Sequence, residues 1–424
     1  MVTSRNSYYI NRFLWLLLAL LPILIIPFKG LPSIFISIKA PVLTILCIVI
    51  LVFIIREKVK LRELEFKLLL LYLTFVFLAC VFAHKPLLAF SGVSDSAGRF
   101  EGFITLCFYA VIFVAAKNHL VVNRKNVIFY LTVQSLVACY SVAQYYGIDP
   151  LVEYLNFRKG NYSTIGNENF FGSYVVTLLT LTSGLFVFDK RPQTLVLCSL
   201  FFAGLLASNT RGCWIAFALI MVLSLFLLSK KRFIKPYFIL LITFSLITLT
   251  MNFTRQNHIL GRAKSIEQQV SVDEGSGSGR MQIWKMTTQA VLENPFFGTG
   301  PENLKEHFIQ TKNKGFLAYK NRTGKTVDKA HNEILHITSV SGIPAAIAYI
   351  FFIMSIYWKN RKELFRINPS TLLMMTVTVY LIQALFNISV IAVAPLFWAL
   401  MGVFASQGVR SSNFYSNSDT LSPS

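Results

Sequence analysis

Apolar runs follow one another along this chain from Phe13 to Val409, separated by short polar joints. Only residues 254–330 break the rhythm, with a long and mostly polar stretch. The runs do not alternate apolar with polar residues as barrel strands do, so they predict helices that cross a bilayer. Twelve are expected, at residues 13–28, 31–55, 66–83, 102–117, 127–147, 169–188, 193–208, 212–229, 236–253, 332–357, 370–388 and 391–409. The fold class is therefore all-α: a polytopic membrane protein with one large extracytoplasmic loop that contains short helices. Residues 1–253 form a bundle of nine spans, 254–330 the loop, 331–409 three further spans, and 410–424 a Ser- and Asn-rich disordered cytoplasmic tail. The last two spans both cross only if a tight turn forms near residues 387–389. One crossing plus a re-entrant segment is the alternative.

Charge adds an orientation. With the N-terminus in the cytoplasm, each short joint on that side is basic, for example Lys58, Lys60 and Arg62, then Arg124 and Lys125, then Lys359, Arg361 and Lys362. This follows the positive-inside rule and turns the large loop outward; long loops are exempt, so its twelve Lys/Arg raise no objection. Against them stand seven Asp/Glu, a surplus that suits an anionic lipid and is too dispersed for nucleic acid. The net charge of +21 over 424 residues is mostly this topology. The first run has no small-x-small cleavage site and reads as a retained helix. Cys47, Cys80, Cys107, Cys139, Cys198 and Cys213 lie in or beside apolar runs without a CxxC pair, so they read as small core residues. Ionisable residues are nearly absent from the span interiors, with Lys39, Lys67 and His336 near ends. Ion-coupled carriers need such groups at mid-membrane, which weighs against a pump.

The candidate chemistry gathers on the outer side. Arg211 sits in Ser208-Asn209-Thr210-Arg211-Gly212, a turn between two spans. It either snorkels to headgroups or grips an anionic substrate, to which a guanidinium donates two parallel hydrogen bonds. Arg280 follows the run Gly275-Ser276-Gly277-Ser278-Gly279 and opens a helical pattern closed by Asn294-Pro295, with Trp284 one turn on along the same face. This is either an amphipathic helix with Trp284 anchored in headgroups, or a phosphate site built from a helix start and a cation. His331 opens the tenth span, with Asp328 as a possible N-cap, and is either a helix-start hydrogen-bonding group or a general base. His336 lies about 140° further round the helix, so the two histidines do not form a metal pair. Arg99, in Gly98-Arg99-Phe100-Glu101-Gly102, either pairs with Glu101 at the interface or adds a third cation. Asp273-Glu274 reads as solvated, and no metal-ligand pattern is present. The glycosylation patterns at Asn161 and Asn321 are short enough to arise by chance.

Together these pieces resemble the O-antigen ligase and polymerase superfamily of bacterial membrane glycosyltransferases. The resemblance rests on Gly98-Arg99-Phe100-Glu101-Gly102; on Gly166-Asn167-Glu168-Asn169; and on Ser208-Asn209-Thr210-Arg211-Gly212. It continues through Ser278-Gly279-Arg280 with Trp284, Asn294-Pro295 and Gly298-Thr299-Gly300, to Ala330-His331-Asn332-Glu333 and Ser341-Gly342-Ile343-Pro344. It covers roughly residues 90–355. It implies transfer of a glycan from undecaprenyl pyrophosphate to an acceptor hydroxyl on a glycan, lipid or protein, at the outer face of the bacterial cytoplasmic membrane. Carried onto this chain, Arg211 and Arg280 bind the pyrophosphate with Arg99 in support, His331 serves the acceptor, and Trp284 and Asn332 contact the substrate. The resemblance implies no metal, cofactor or nucleotide sugar. A polymerase of lipid-linked repeat units fits the same motifs, and a transporter of lipid-linked glycan is the alternative of a different class.

Overall fold

The computed structural model describes residues 4–26, 33–92, 99–155, 159–227, 231–255, 259–261, 279–363 and 368–406. Every regular element among them is helical. The helices are α1 (Arg5–Leu20), α2 (Lys39–Arg56), α3 (Leu64–Val81), α4 (Pro86–Ser91), α5 (Phe103–His119), α6 (Arg124–Tyr145), α7 (Pro150–Leu155), α8 (Glu168–Asp189), α9 (Pro192–Ala207) and α10 (Arg211–Leu227). They continue with α11 (Lys231–Thr254), α12 (Arg280–Glu293), α13 (Leu304–Gln310), α14 (Lys314–Thr323), α15 (Glu333–Lys359), α16 (Pro369–Ala384) and α17 (Ala394–Ala405). Each predicted span overlaps one helix, because an apolar run in a bilayer satisfies its backbone only by winding up. Six of the helices are long and apolar enough to cross a membrane by length and composition. The tail at 410–424, Gly98, and residues 273–278 lie outside the described residues.

Helix ends sort into two planes. At one, Lys117 and Lys359 clamp Glu63 and Glu65 at 2.5–2.9 Å, Arg124 pairs with Asp189 at 2.8 Å, and Ser4 bonds Glu57. The other carries the large loop. Helix α8 is the hub between them, with residues from Phe170 to Val187 buried almost without break.

The predicted tenth span appears as α15, but it is not straight. Gly342 interrupts α15 with φ 86° and ψ 165°, and the helix folds back on itself there. The proof is that Tyr349 donates to the Glu333 carboxylate at 2.7 Å. A straight helix would separate those positions by about 24 Å. The arm before Gly342 is therefore a short helix of its own, set at an angle to the part that follows it. Backbone groups freed by the break are satisfied by the loop segment that follows α12. Thr299 and Gly300 donate to the carbonyls of Ser339 and Val340 at 2.9 Å, and Ile343 donates to Pro295 at 2.8 Å. Gly342 must be glycine: an added Cβ would lie 2.0 Å from the Phe296 carbonyl oxygen.

The last pair of helices also departs from expectation. Residues 385–393, rather than a tight turn, connect α16 to α17. Helix α17 has 12 residues, all of them buried. At about 18 Å it is shorter than the roughly 30 Å hydrocarbon core, so neighbouring helices enclose it.

The loop has a core of its own. Ile283, Met286 and Ala290 of α12 meet Leu304 and Phe308 of α13, Phe316 of α14 and Val340 of the folded-back arm. Asn303 accepts from the Lys85 backbone N–H at 2.9 Å and Lys85 pairs with Glu306 at 2.8 Å, which fastens this small core to the end of α3.

Candidate active site

Three helix ends are locked together in the loop-side plane. Thr210 donates to the Glu168 carbonyl at 3.0 Å, tying the start of α10 to the start of α8. Asn387, after α16, donates to the Asn169 carbonyl at 2.9 Å and to Ser173 at 2.5 Å. Gly212 leaves room for Phe386, which a Cβ would meet at 3.0 Å. Asn209 takes the left-handed conformation (φ 53°) that turns the chain into α10, whose first residue is Arg211.

Arg280 is placed in the same way. Gly279 is left-handed (φ 70°), Tyr319 closes over it, and Arg280 begins α12. Burial lowers the proton affinity of its guanidinium, which nevertheless stays charged. The group that interacts with it electrostatically from α10 is the Cys213 thiol, two residues beyond Arg211. Two helix N-termini, each headed by an arginine, thus stand in one neighbourhood, and exposed N–H groups there add to the positive field.

His331 sits above the folded-back arm with φ 51°. Both neighbours are pinned. Trp284 donates its indole N–H to the Ala330 carbonyl at 3.0 Å, and Asn332 accepts from the Leu335 N–H at 2.9 Å. Burial, then the charges of Arg99 and Arg280, push the imidazole down to about 4. It is therefore neutral at physiological pH, with a nitrogen lone pair available to a hydroxyl.

Arg99 pairs with Asp328 at 3.0 Å and lies over the Phe170 ring at 5.8 Å. Its Nη1 is buried without a hydrogen-bond partner in the structure. Both contacts correct the expected local pairings. Glu101, two residues from Arg99, turns away and accepts from Tyr109 at 2.6 Å. Asp328 caps no helix; Asn332 does. Trp284, expected in the headgroups or on the substrate, uses its N–H to hold the His331 segment.

Arg99 and Arg280 therefore both act on His331, and Arg280 acts on Cys213 of the helix that Arg211 begins. Among the described residues no three His, Cys, Asp or Glu side chains are grouped to hold a metal ion. Reading along the sequence passed over Glu302, Lys329 and Tyr349, which line a cavity directly beneath this site. Glu333 stood within a quoted motif without a role. The available signal was the alternation along 328–333, which sends neighbouring residues to opposite faces of an extended segment.

The described family O-antigen ligase matches residues 196–350, a stretch that holds Arg211, Arg280, Trp284, His331 and Gly342. No curated protein matches the chain. Through that segment this integral membrane protein is similar to the O-antigen ligase and polymerase superfamily that its motifs resemble.

Proposed function

We propose that this protein transfers a glycan from undecaprenyl pyrophosphate to an acceptor hydroxyl at the outer face of the bacterial cytoplasmic membrane. The observation that carries this reading is that the charge of Arg280 is felt both at His331 and at Cys213, two residues into the helix that Arg211 begins. A lipid diphosphate leaves with growing negative charge at the headgroup plane. Arginines fixed there, backed by two helix N-termini, stabilise that charge as the C1–O bond breaks. Each phosphate-directed arginine contributes about 2–4 kcal/mol of barrier lowering by analogy with oxyanion donors. Neutral His331 takes the acceptor proton. A diphosphate bound at Arg280 offsets the field that weakens this base, so donor binding strengthens it at the moment it is needed.

Arg99, paired with Asp328, holds the His331 segment and contributes charge at longer range. Asn332 and Trp284 act mainly by fixing the backbone on either side of His331. The loop over residues 254–330 works as the part of the site that brings Arg280 and His331 to the bundle. A single displacement inverts the anomeric centre, and the arginines supply the positive charge that a metal supplies elsewhere.

The test is transfer by purified protein from a diphosphate-linked oligosaccharide lipid, with product stereochemistry read by NMR. Inverted product formed in the presence of a chelator supports the reading; no transfer, or retention, overturns it. Repeat-unit ladders formed from donor alone would assign the polymerase branch. Transfer only to a second acceptor would assign the ligase branch.

A further inference from the structure

The segments around residues 99–101 and 328–333 deliver two layers of opposite character. Arg99, Asp328 and His331 belong to the upper layer, together with Arg280. Glu101, Lys329 and Glu333 point below, where with Glu302 and His336 they line one cavity. Lys329 is neutralised there by a buried ion pair with Glu302. That leaves two buried carboxyl groups, Glu101 and Glu333, without a cation of their own. Each is held by a tyrosine: Tyr109 donates to Glu101 at 2.6 Å and Tyr349 to Glu333 at 2.7 Å, while Tyr380 also approaches Glu333. His336 projects into the same space from the folded-back arm, and its Nδ1 is fully buried with no hydrogen-bond partner. Two buried carboxyls facing one cavity are a place where a proton is held.

We propose that this acidic cavity receives the proton of the glycosyl transfer, which rests on the reading of His331 as the base. The acceptor O–H bond breaks and its proton moves to the imidazole of His331. The hydroxyl oxygen bonds to C1, and the C1–O pair leaves with the diphosphate. The proton then passes from His331, by way of His336, to the Glu101 carboxylate, with Glu333 beside it, and His331 returns to its neutral form. Burial raises Glu101 to about 7, while burial and the arginines hold His331 at about 4 in the free protein, so the end points favour Glu101 as the proton's resting place. The charged and titratable groups facing Glu101 are Lys329, Glu302, Glu333, Tyr109, Tyr72 and Tyr380.

The experiment is steady-state transfer by the full chain in nanodiscs, with a diphosphate-linked oligosaccharide lipid as donor. Wild-type protein is expected to lose rate as pH falls through 7. E101Q is expected to lose kcat by roughly tenfold or more, with a flat profile and unchanged donor KM, and E101D to recover part of the rate. Y109F, which removes the hydrogen bond that lowers Glu101, is expected to move the acid limb upward, and it serves should E101Q fail to fold. Wild-type profiles in E101Q or Y109F overturn the relay. So does a loss in E101Q that leaves the acid limb in place. Absence of transfer by wild-type protein would instead remove the parent reading.

Discussion

The indole of Trp284 and the backbone of Ala330 are joined by a 3.0 Å hydrogen bond, so the helix that begins with Arg280 also sets where His331 stands. Two groups of the candidate site are thus one mechanical unit. Replacing Trp284 with Phe keeps the ring volume and removes the donor. An unpaired carbonyl and a loosened segment cost about 1–3 kcal/mol, so W284F is expected to transfer on the order of tenfold more slowly while remaining folded. A transfer assay beside a thermal melt checks this; unchanged rate would detach Trp284 from the site.

Arg280 is expected to be the most sensitive cation. R280A should lower the rate by roughly 10²–10³-fold, as loss of an oxyanion donor does. R280K keeps the charge but loses the planar fork, and should recover only part of it. R211A should fall in the same range. Equal rates for R280K and wild type would mean that point charge alone suffices.

His331 titrates low because it is buried beside Arg99 and Arg280. Since its folded value lies below its ordinary one, the neutral form is favoured in the fold. Its contribution to stability is present above about 6.5 and is lost as pH falls toward about 4. Imidazole NMR should show a titration near that lower value in free protein. Added lipid diphosphate should move it upward; no movement would show that the anion does not reach Arg280.

The break in α15 demands glycine. G342A would drive a Cβ into the Phe296 carbonyl and strain a conformation that glycine alone adopts freely. Loss of folded protein on size-exclusion chromatography is expected, whereas G261A, with nothing within 4 Å, should behave as wild type. A folded, active G342A would mean that the fold-back is dispensable.

Much of the architecture was readable along the chain. Every apolar run became a helix, because a bilayer offers the backbone no other partner. The motifs around Arg211, Arg280 and His331 marked the candidate residues, since helix starts and glycine turns are local signals. Pairing across the fold was not local. Arg99 took Asp328, 229 positions away, over its near neighbour Glu101, because the loop core brings that carboxylate to it. Trp284 faced inward for the same reason. The fold-back at Gly342 was hidden because an apolar run looks the same whether it continues straight or doubles back. Only its packing against the segment after α12, which satisfies the freed backbone groups, makes the bend the lower-energy choice. That bend carries Glu333 to Tyr349 and brings His336 into the same cavity lining, which no spacing of residues announced.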